Sequence, residues 1–161
     1  MIKSGEFLSK WQGSIFSYHI MRVEIDTSSR LDQSGDTVFG FSDDIQKAIL
    51  LRQATRDQCL ENLSGRRFSR ELRVFAACIY LLIEDHLDQV EEIRIDQEYP
   101  GHEGEIKRYF ANLIQTHQPH TQFREEYIKI APIGKKSLAH KVAWGTLRRQ
   151  RSVDRILKRL V

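Results

Sequence analysis

Two stretches of the chain run apolar, charged, apolar and then aspartate: Val23-Glu24-Ile25-Asp26 and Ile93-Arg94-Ile95-Asp96. In a strand, alternate side chains share a face. Val23 with Ile25, and Ile93 with Ile95, therefore point to a core, and each aspartate falls at its strand's carboxyl end. Open α/β sheets bind their ligands at that end. If the two strands are neighbours, the carboxylates of Asp26 and Asp96 crowd each other, and a Mg²⁺ or Mn²⁺ between them removes the repulsion. Taken singly, each aspartate also reads as a turn former or a helix cap.

The second stretch continues into the densest polar segment of the chain, Asp96-Gln97-Glu98-Tyr99-Pro100-Gly101-His102-Glu103. Pro100-Gly101 forces a turn, which brings Asp96, Glu98, His102 and Glu103 towards one another. Oxygen-rich donors of this kind favour a hard cation, and a histidine among them ligates or relays a proton. The competing reading is a strand-to-helix loop whose acids complement the dipole of the next helix.

Residues 133–141 read IGKKSLAHK. The GKS-like end lacks the glycine that a phosphate-binding P-loop needs five residues earlier, where Lys129 stands, so a nucleoside triphosphatase is excluded. What remains is a glycine-lysine loop at a helix amino end, where Lys135, Lys136 and Ser137 can hold a phosphate, or Ser137 serves as a plain N-cap. His140 lies on the first turn of that helix. His117 and His120 have metal-like spacing, but Pro119 interrupts them and no third ligand is near. Cys59 and Cys78 form no CxxC pair and lack a histidine-aspartate setting, which points to neither a disulfide scaffold, a zinc ribbon nor a thiol nucleophile.

The net charge of +3 conceals an uneven distribution. Residues 134–161 carry nine Lys or Arg against the single acid Asp154, whereas the first 133 residues are net acidic by five. A basic block holding Lys135, Lys136, Lys141, Arg148, Arg149 and Arg151 suits a polyanion backbone, because neutralising phosphates releases counterions. The same block also fits cations favoured near a helix carboxyl end.

The elements that must position these groups follow from patterning. The 161 residues, 40% hydrophobic and 29% charged, suit one ordinary domain spanning residues 1–161 and exclude a disordered or low-complexity chain. Residues 14–25 read as a strand and residues 37–41 as a second, joined by a polar, mobile connection into an antiparallel hairpin. Ser42, Asp43 and Asp44 suit a helix start leading into Ile45, Ala48 and Ile49, and Ser64-Gly65 breaks that helix. A second helix runs from about Phe68 to Leu87. Beyond residue 90 come a strand at 90–95, a helix at 104–116, a strand at 126–133, a helix at 137–149 and a last short helix at 153–161. Strands joined by such helices are parallel, with right-handed crossovers. The fold class is therefore α/β, with a mixed sheet, an N-terminal hairpin, parallel βαβ strands and helices packed on the sheet.

The longest apolar run, residues 74–83, is half of the ~20 residues that span a bilayer, and no secretory signal pattern opens the chain. The expectation is a cytoplasmic protein without a membrane partner.

This order of elements resembles the RNase H-like superfamily, a likeness that is topological and covers most of the chain. The resemblance implies two divalent metals held by acids on the first strand, the first major helix, the end of the fourth strand and a late element. Asp26 corresponds to the first, Glu71 (with Glu84 second) to the helix acid, Asp96 to the third, and His140 or Asp154 to the last; the stretch GKKSLAHKVAW is loosely similar to the late helix of the type 2 enzymes. Three departures stand out: two strands before the helices where the superfamily has three, two helices where it has one, and Asp26 at a strand end, which leaves Glu24 as an alternative.

The expected function is a metal-dependent nuclease or phosphodiesterase acting on nucleic acid. Asp26, Asp96 and Glu98 would bind Mg or Mn, Glu71 and His140 would join the catalytic set, and no organic cofactor is expected. The alternative is a non-enzymatic nucleic-acid-binding or protein-interaction module using the basic segment, or a scaffold whose last helix completes an oligomer.

Overall fold

The computed structural model describes residues 19–160. Its six strands are β1 (Met21–Thr27), β2 (Thr37–Ser42), β3 (Gln46–Leu51), β4 (Val90–Ile95), β5 (Ile128–Ile130) and β6 (Arg155–Leu157), and its four helices are α1 (Gln53–Asn62), α2 (Arg67–Ile83), α3 (Glu103–His117) and α4 (Leu138–Leu147). The strands form one sheet in the order β5-β4-β1-β2-β3-β6. Neighbours β1/β2 and β2/β3 are antiparallel; β1/β4, β4/β5 and β3/β6 are parallel. The α/β class with a mixed sheet and helices packed on it is what the patterning led us to expect. The part of the expected first strand before residue 19 lies outside the described residues.

Alternation along the strands decides which face each helix covers. Val23, Ile25, Phe39, Phe41, Ile49 and Leu51 point to one side, where they join the largely buried α2 and residues Ile106, Phe110 and Ile114 of α3 in the main core. Val38 and Ala48 point to the other side and pack with Val142 and Ala143 of α4. Helix α2 is apolar on nearly all sides because the sheet covers one flank and other helices cover the rest, which settles residues 74–83 as helix.

The close seat of α4 depends on Gly40. A Cβ there would stand 2.8 Å from the Ala143 backbone nitrogen, 3.0 Å from Val142 Cγ1 and 3.1 Å from the Ala139 carbonyl. A glycine inside a strand pattern marks such a close backbone approach.

Several expectations fail. Residues 46–51 are not the start of a helix but β3, paired along its whole length with β2 from Thr37↔Leu51 to Ser42↔Gln46. Short apolar runs fit both periods; here Ala48 faces α4 while Ile49 and Leu51 face α2, so only the extended form buries both sides. Asp43 and Asp44 sit in the hairpin turn, where the Asp43 N–H donates to the Ile45 carbonyl at 2.9 Å, and the helix begins at Gln53 instead. Likewise residues 155–157 are strand, not helix, because the free edge of β3 offers backbone donors and acceptors that need partners. The strand β5 is also shorter than expected, with a 3₁₀ turn occupying Glu125–Tyr127.

The connection between β1 and β2, expected to be mobile, is tied down. Arg56 of α1 donates to the carbonyls of Gln33 and Gly35, both at 3.0 Å, and the Tyr99 hydroxyl accepts from the Leu31 N–H at 3.2 Å. Among the described residues no helix is long and apolar enough to cross a membrane.

Candidate metal centre at the carboxyl ends of β1 and β4

The two look-alike stretches are neighbours in matching register: Val23↔Ile93, Glu24↔Arg94 and Ile25↔Ile95. The ladder continues through the Asp96 N–H, which donates to the Ile25 carbonyl at 2.9 Å. Asp26, near the carboxyl end of β1, and Asp96, just past β4, therefore stand side by side. Glu98, just beyond β4, turns back onto them, so that one carboxylate oxygen from each of Asp26, Asp96 and Glu98 lies within 4.8 Å of the others.

Each acid is fixed by at least one hydrogen bond, and Asp26 by one on each oxygen. Asp26 Oδ1 accepts from the Thr27 N–H at 2.7 Å, Asp96 Oδ1 from the Ile133 N–H at 2.8 Å, and Glu98 Oε1 from the Thr27 hydroxyl at 2.9 Å. The second oxygens of Asp96 and Glu98 have no hydrogen-bond partner among the described residues. Asp26 Oδ2 lies 2.7 Å from His140 Nδ1 on α4. An ionised carboxylate only accepts, so Nδ1 then carries the proton and Nε2 is left open.

The electrostatics are those of crowded acids. Burial pushes the Asp26 carboxyl above its ordinary value, against the hydrogen bonds from His140 and Thr27, with the nearby Asp96 charge adding to the rise. Burial also raises Glu98, opposed by the Thr27 hydrogen bond and reinforced by the charges of Asp26 and Asp96. No Lys or Arg among the described residues forms an ion pair with any of the three. One buried acid, Asp26, and two half-buried ones, Asp96 and Glu98, thus offer three mutually repelling carboxylate oxygens that could hold a metal ion.

Other sequence candidates go elsewhere. Glu71 is buried on α2, where Arg67 Nε reaches it at 3.4 Å, and it is not part of the carboxylate group. Glu84 lies at the opposite end of that helix, paired with Arg155 at 2.9 Å. Glu24 shares a face with Asp26 but is taken by the Ser137 hydroxyl at 2.5 Å, which anchors the amino end of α4. Ser137 is also the N-cap, accepting from the Ala139 N–H at 3.1 Å. His102 turns to Glu105 at 2.8 Å, while Glu103 accepts from Gln97 and from the N–H of Gly101, whose φ of 86° the turn requires. Asp154 bonds the β3 backbone, accepting from the Ala48 N–H at 2.7 Å.

Of the basic candidates, Lys135, Lys136, Lys141, Arg148 and Arg149 are exposed. Lys135, Lys141 and Arg148 line a cavity of about 450 Å³ beside His140. Arg151 is instead consumed internally, donating to the carbonyls of Ser152 and Gln46 and to Asp154 at 2.8, 3.1 and 3.0 Å. Sequence inspection missed Thr27, which orders both Asp26 and Glu98, and the Ile133 N–H that orients Asp96. Neither leaves a trace in residue type, since one bond crosses from the first strand to a distant loop and the other uses backbone.

No protein-family model matches this chain, and no curated protein or solved structure matches it significantly.

Proposed function

We propose that the protein is a divalent-metal-dependent phosphodiesterase, acting as a nuclease through Asp26, Asp96 and Glu98. The observation that carries this reading is the convergence of these three carboxylates, two of them with raised affinity for protons, at the carboxyl ends of adjacent parallel strands. A bound Mg²⁺ or Mn²⁺ would supply Lewis-acid polarisation of the phosphoryl group and a more acidic water.

The chain's own residues do the positioning. The Ile133 and Thr27 bonds hold Asp96, Asp26 and Glu98 in place, and the second oxygens of Asp96 and Glu98 have no partner among the described residues. His140 orients Asp26 and presents Nε2 to a proton in transit. Lys135 and Lys141 stand beside it to attract the phosphate backbone.

An RNase H-like relationship is part of the proposal. Two of the departures noted in the sequence weigh less once β3 supplies a third strand before the helices and Asp26 lies inside β1 rather than past its end. The division into α1 and α2 still departs from the superfamily's single helix.

The test is hydrolysis of labelled single- and double-stranded DNA and RNA by the purified protein with Mg²⁺ or Mn²⁺. Cleavage is expected to require the metal and to fall about a hundredfold or more in Asp96→Asn, the scale of losing one preorganised electrostatic group. Equal activity of Asp96→Asn and wild type with either metal overturns the proposal. Salt-dependent binding with no hydrolysis would leave a binding module instead.

A further inference from the structure

We infer that the flank of α4 carrying His140, Trp144 and Arg148 is a base-stacking track for single-stranded nucleic acid, with the half-buried Trp144 indole as its platform. The inference rests on the nuclease reading for where the track leads, though not for its existence. His140, Trp144 and Arg148 recur every fourth residue and so share one face of the helix. At the α-helical rise the row extends about 12 Å, the length of three or four stacked nucleotides.

The row has a defined start. His140 is bonded to Asp26 at 2.7 Å, so its first member touches the carboxylate group. The Trp144 ring follows with its centroid 5.9 Å from the imidazole, tilted by 45°. The Arg148 guanidinium carbon comes next, 5.3 Å from the indole centre.

The Trp144 indole is half-buried, yet among the described residues it belongs to neither apolar cluster, and α4 is seated on the sheet by Ala139, Val142 and Ala143. The indole instead lines the 450 Å³ cavity together with Lys135, Lys141 and Arg148. None of these three cations forms an ion pair with a carboxylate among the described residues, in contrast to Lys129 with Glu92 and Arg155 with Glu84 elsewhere on the surface. Arg148 therefore holds a stacking position that a base can take or share, and its charge remains available for a phosphate.

An aromatic face bordered by unpaired cations is the arrangement that binds a single strand. Every base has a π-face to offer, the cations follow the backbone, and no base-edge readout is needed. A duplex cannot use the platform without first releasing a base from its stack.

The test uses the full-length protein without metal, in chelator, so that binding is read apart from hydrolysis. Anisotropy of a labelled oligothymidylate of roughly ten nucleotides, a length suited to one such groove, gives affinity. Quenching of tryptophan fluorescence is followed in a Trp11→Phe background, which leaves Trp144 as the sole reporter. The oligonucleotide is expected to quench Trp144. Trp144→Ala, checked for native circular dichroism, is expected to weaken binding about tenfold to a hundredfold, with Trp144→Phe recovering most of the loss. An abasic oligomer of equal length should bind wild type only as weakly as oligothymidylate binds Trp144→Ala.

Unchanged affinity in Trp144→Ala, equal binding of the abasic oligomer, or an equal loss with a duplex probe overturns the inference. If hydrolysis depends on Asp96 while Trp144→Ala binds normally, the track fails and the nuclease stands. If Trp144-dependent binding occurs without hydrolysis under Mg²⁺ or Mn²⁺, the track stands and the nuclease fails.

Discussion

The carboxyl ends of β1 and β4 and the edge where β3 meets β6 are both built around aspartates at strand ends, yet they are finished in opposite ways. At the β3–β6 edge, Asp154 accepts from the Ala48 N–H and from Arg151, and its own N–H returns to the Ala48 carbonyl at 2.9 Å. Opposite charges meet and the edge of β3 is satisfied. At the β1–β4 ends, three acids meet one another and a histidine, and repulsion persists in the folded chain. The first region contributes to stability through bonds it completes itself. The second keeps its acids crowded, with Asp26 and Glu98 raised in proton affinity, and on the proposed reading a cation relieves that crowding.

Breaking the contrast at its strongest point means neutralising the crowded acids. Asp26→Asn is expected to lower hydrolysis about a hundredfold or more while the metal-free melting temperature holds or rises, because the substitution removes a buried charge that its neighbours oppose. Rates and calorimetry on the same preparation check both halves, and a marked fall in metal-free melting temperature would place Asp26 among the stabilising groups instead.

Next in size is Gly40→Ala. The added Cβ meets α4 backbone atoms that cannot swing aside, so a stability loss of about 1–3 kcal/mol is expected in urea unfolding. Because α4 carries His140 and leads towards Asp154, displacing it should disturb both regions at once.

Asp154→Ala is expected to cost about 1 kcal/mol, the value of a half-exposed hydrogen-bonded carboxylate, and to leave metal-dependent hydrolysis unchanged. A matching loss of activity would erase the distinction between the regions.

The smallest effect is on pH dependence. Asp26 and Glu98 have folded-state affinities for protons above those of the unfolded chain, so between the two values the folded state holds more protons. Metal-free stability should therefore fall as pH rises from the ordinary carboxylate range through the raised values, and divalent-metal affinity should increase over the same window. Glu98→Gln should flatten the slope; denaturant midpoints across pH measure it.

The legibility of the sequence divides along physical lines. The strand at 90–95 and the helix beginning near Phe68 are readable because their apolar residues match one period or sit between clear breakers. Residues 46–51 are ambiguous because six residues are too few to separate the periods, and residues 155–157 become strand only because β3 has an open edge. Gly40 was visible as a glycine between aromatics, but the helix it admits lies about a hundred positions away. Glu71 is a helix acid by order alone, yet it is buried on α2 beside Arg67 and does not belong to the carboxylate group.

The sequence by itself determined the repeated apolar-charged-apolar-aspartate pattern, the acidic loop after the second copy and the basic character of the last 28 residues. These are properties of residue type and short-range order, carried by alternation and charge alone. Only the tertiary structure decided that the two copies are parallel neighbours in matching register, that Glu98 joins them, and that His140 rather than Asp154 meets Asp26. It also turned Arg151 inward and, among the described residues, left Trp144 outside both apolar clusters. Those outcomes depend on strand order and helix seating, which follow from burying both faces of one sheet and pairing its edges, and no local window of sequence contains that constraint.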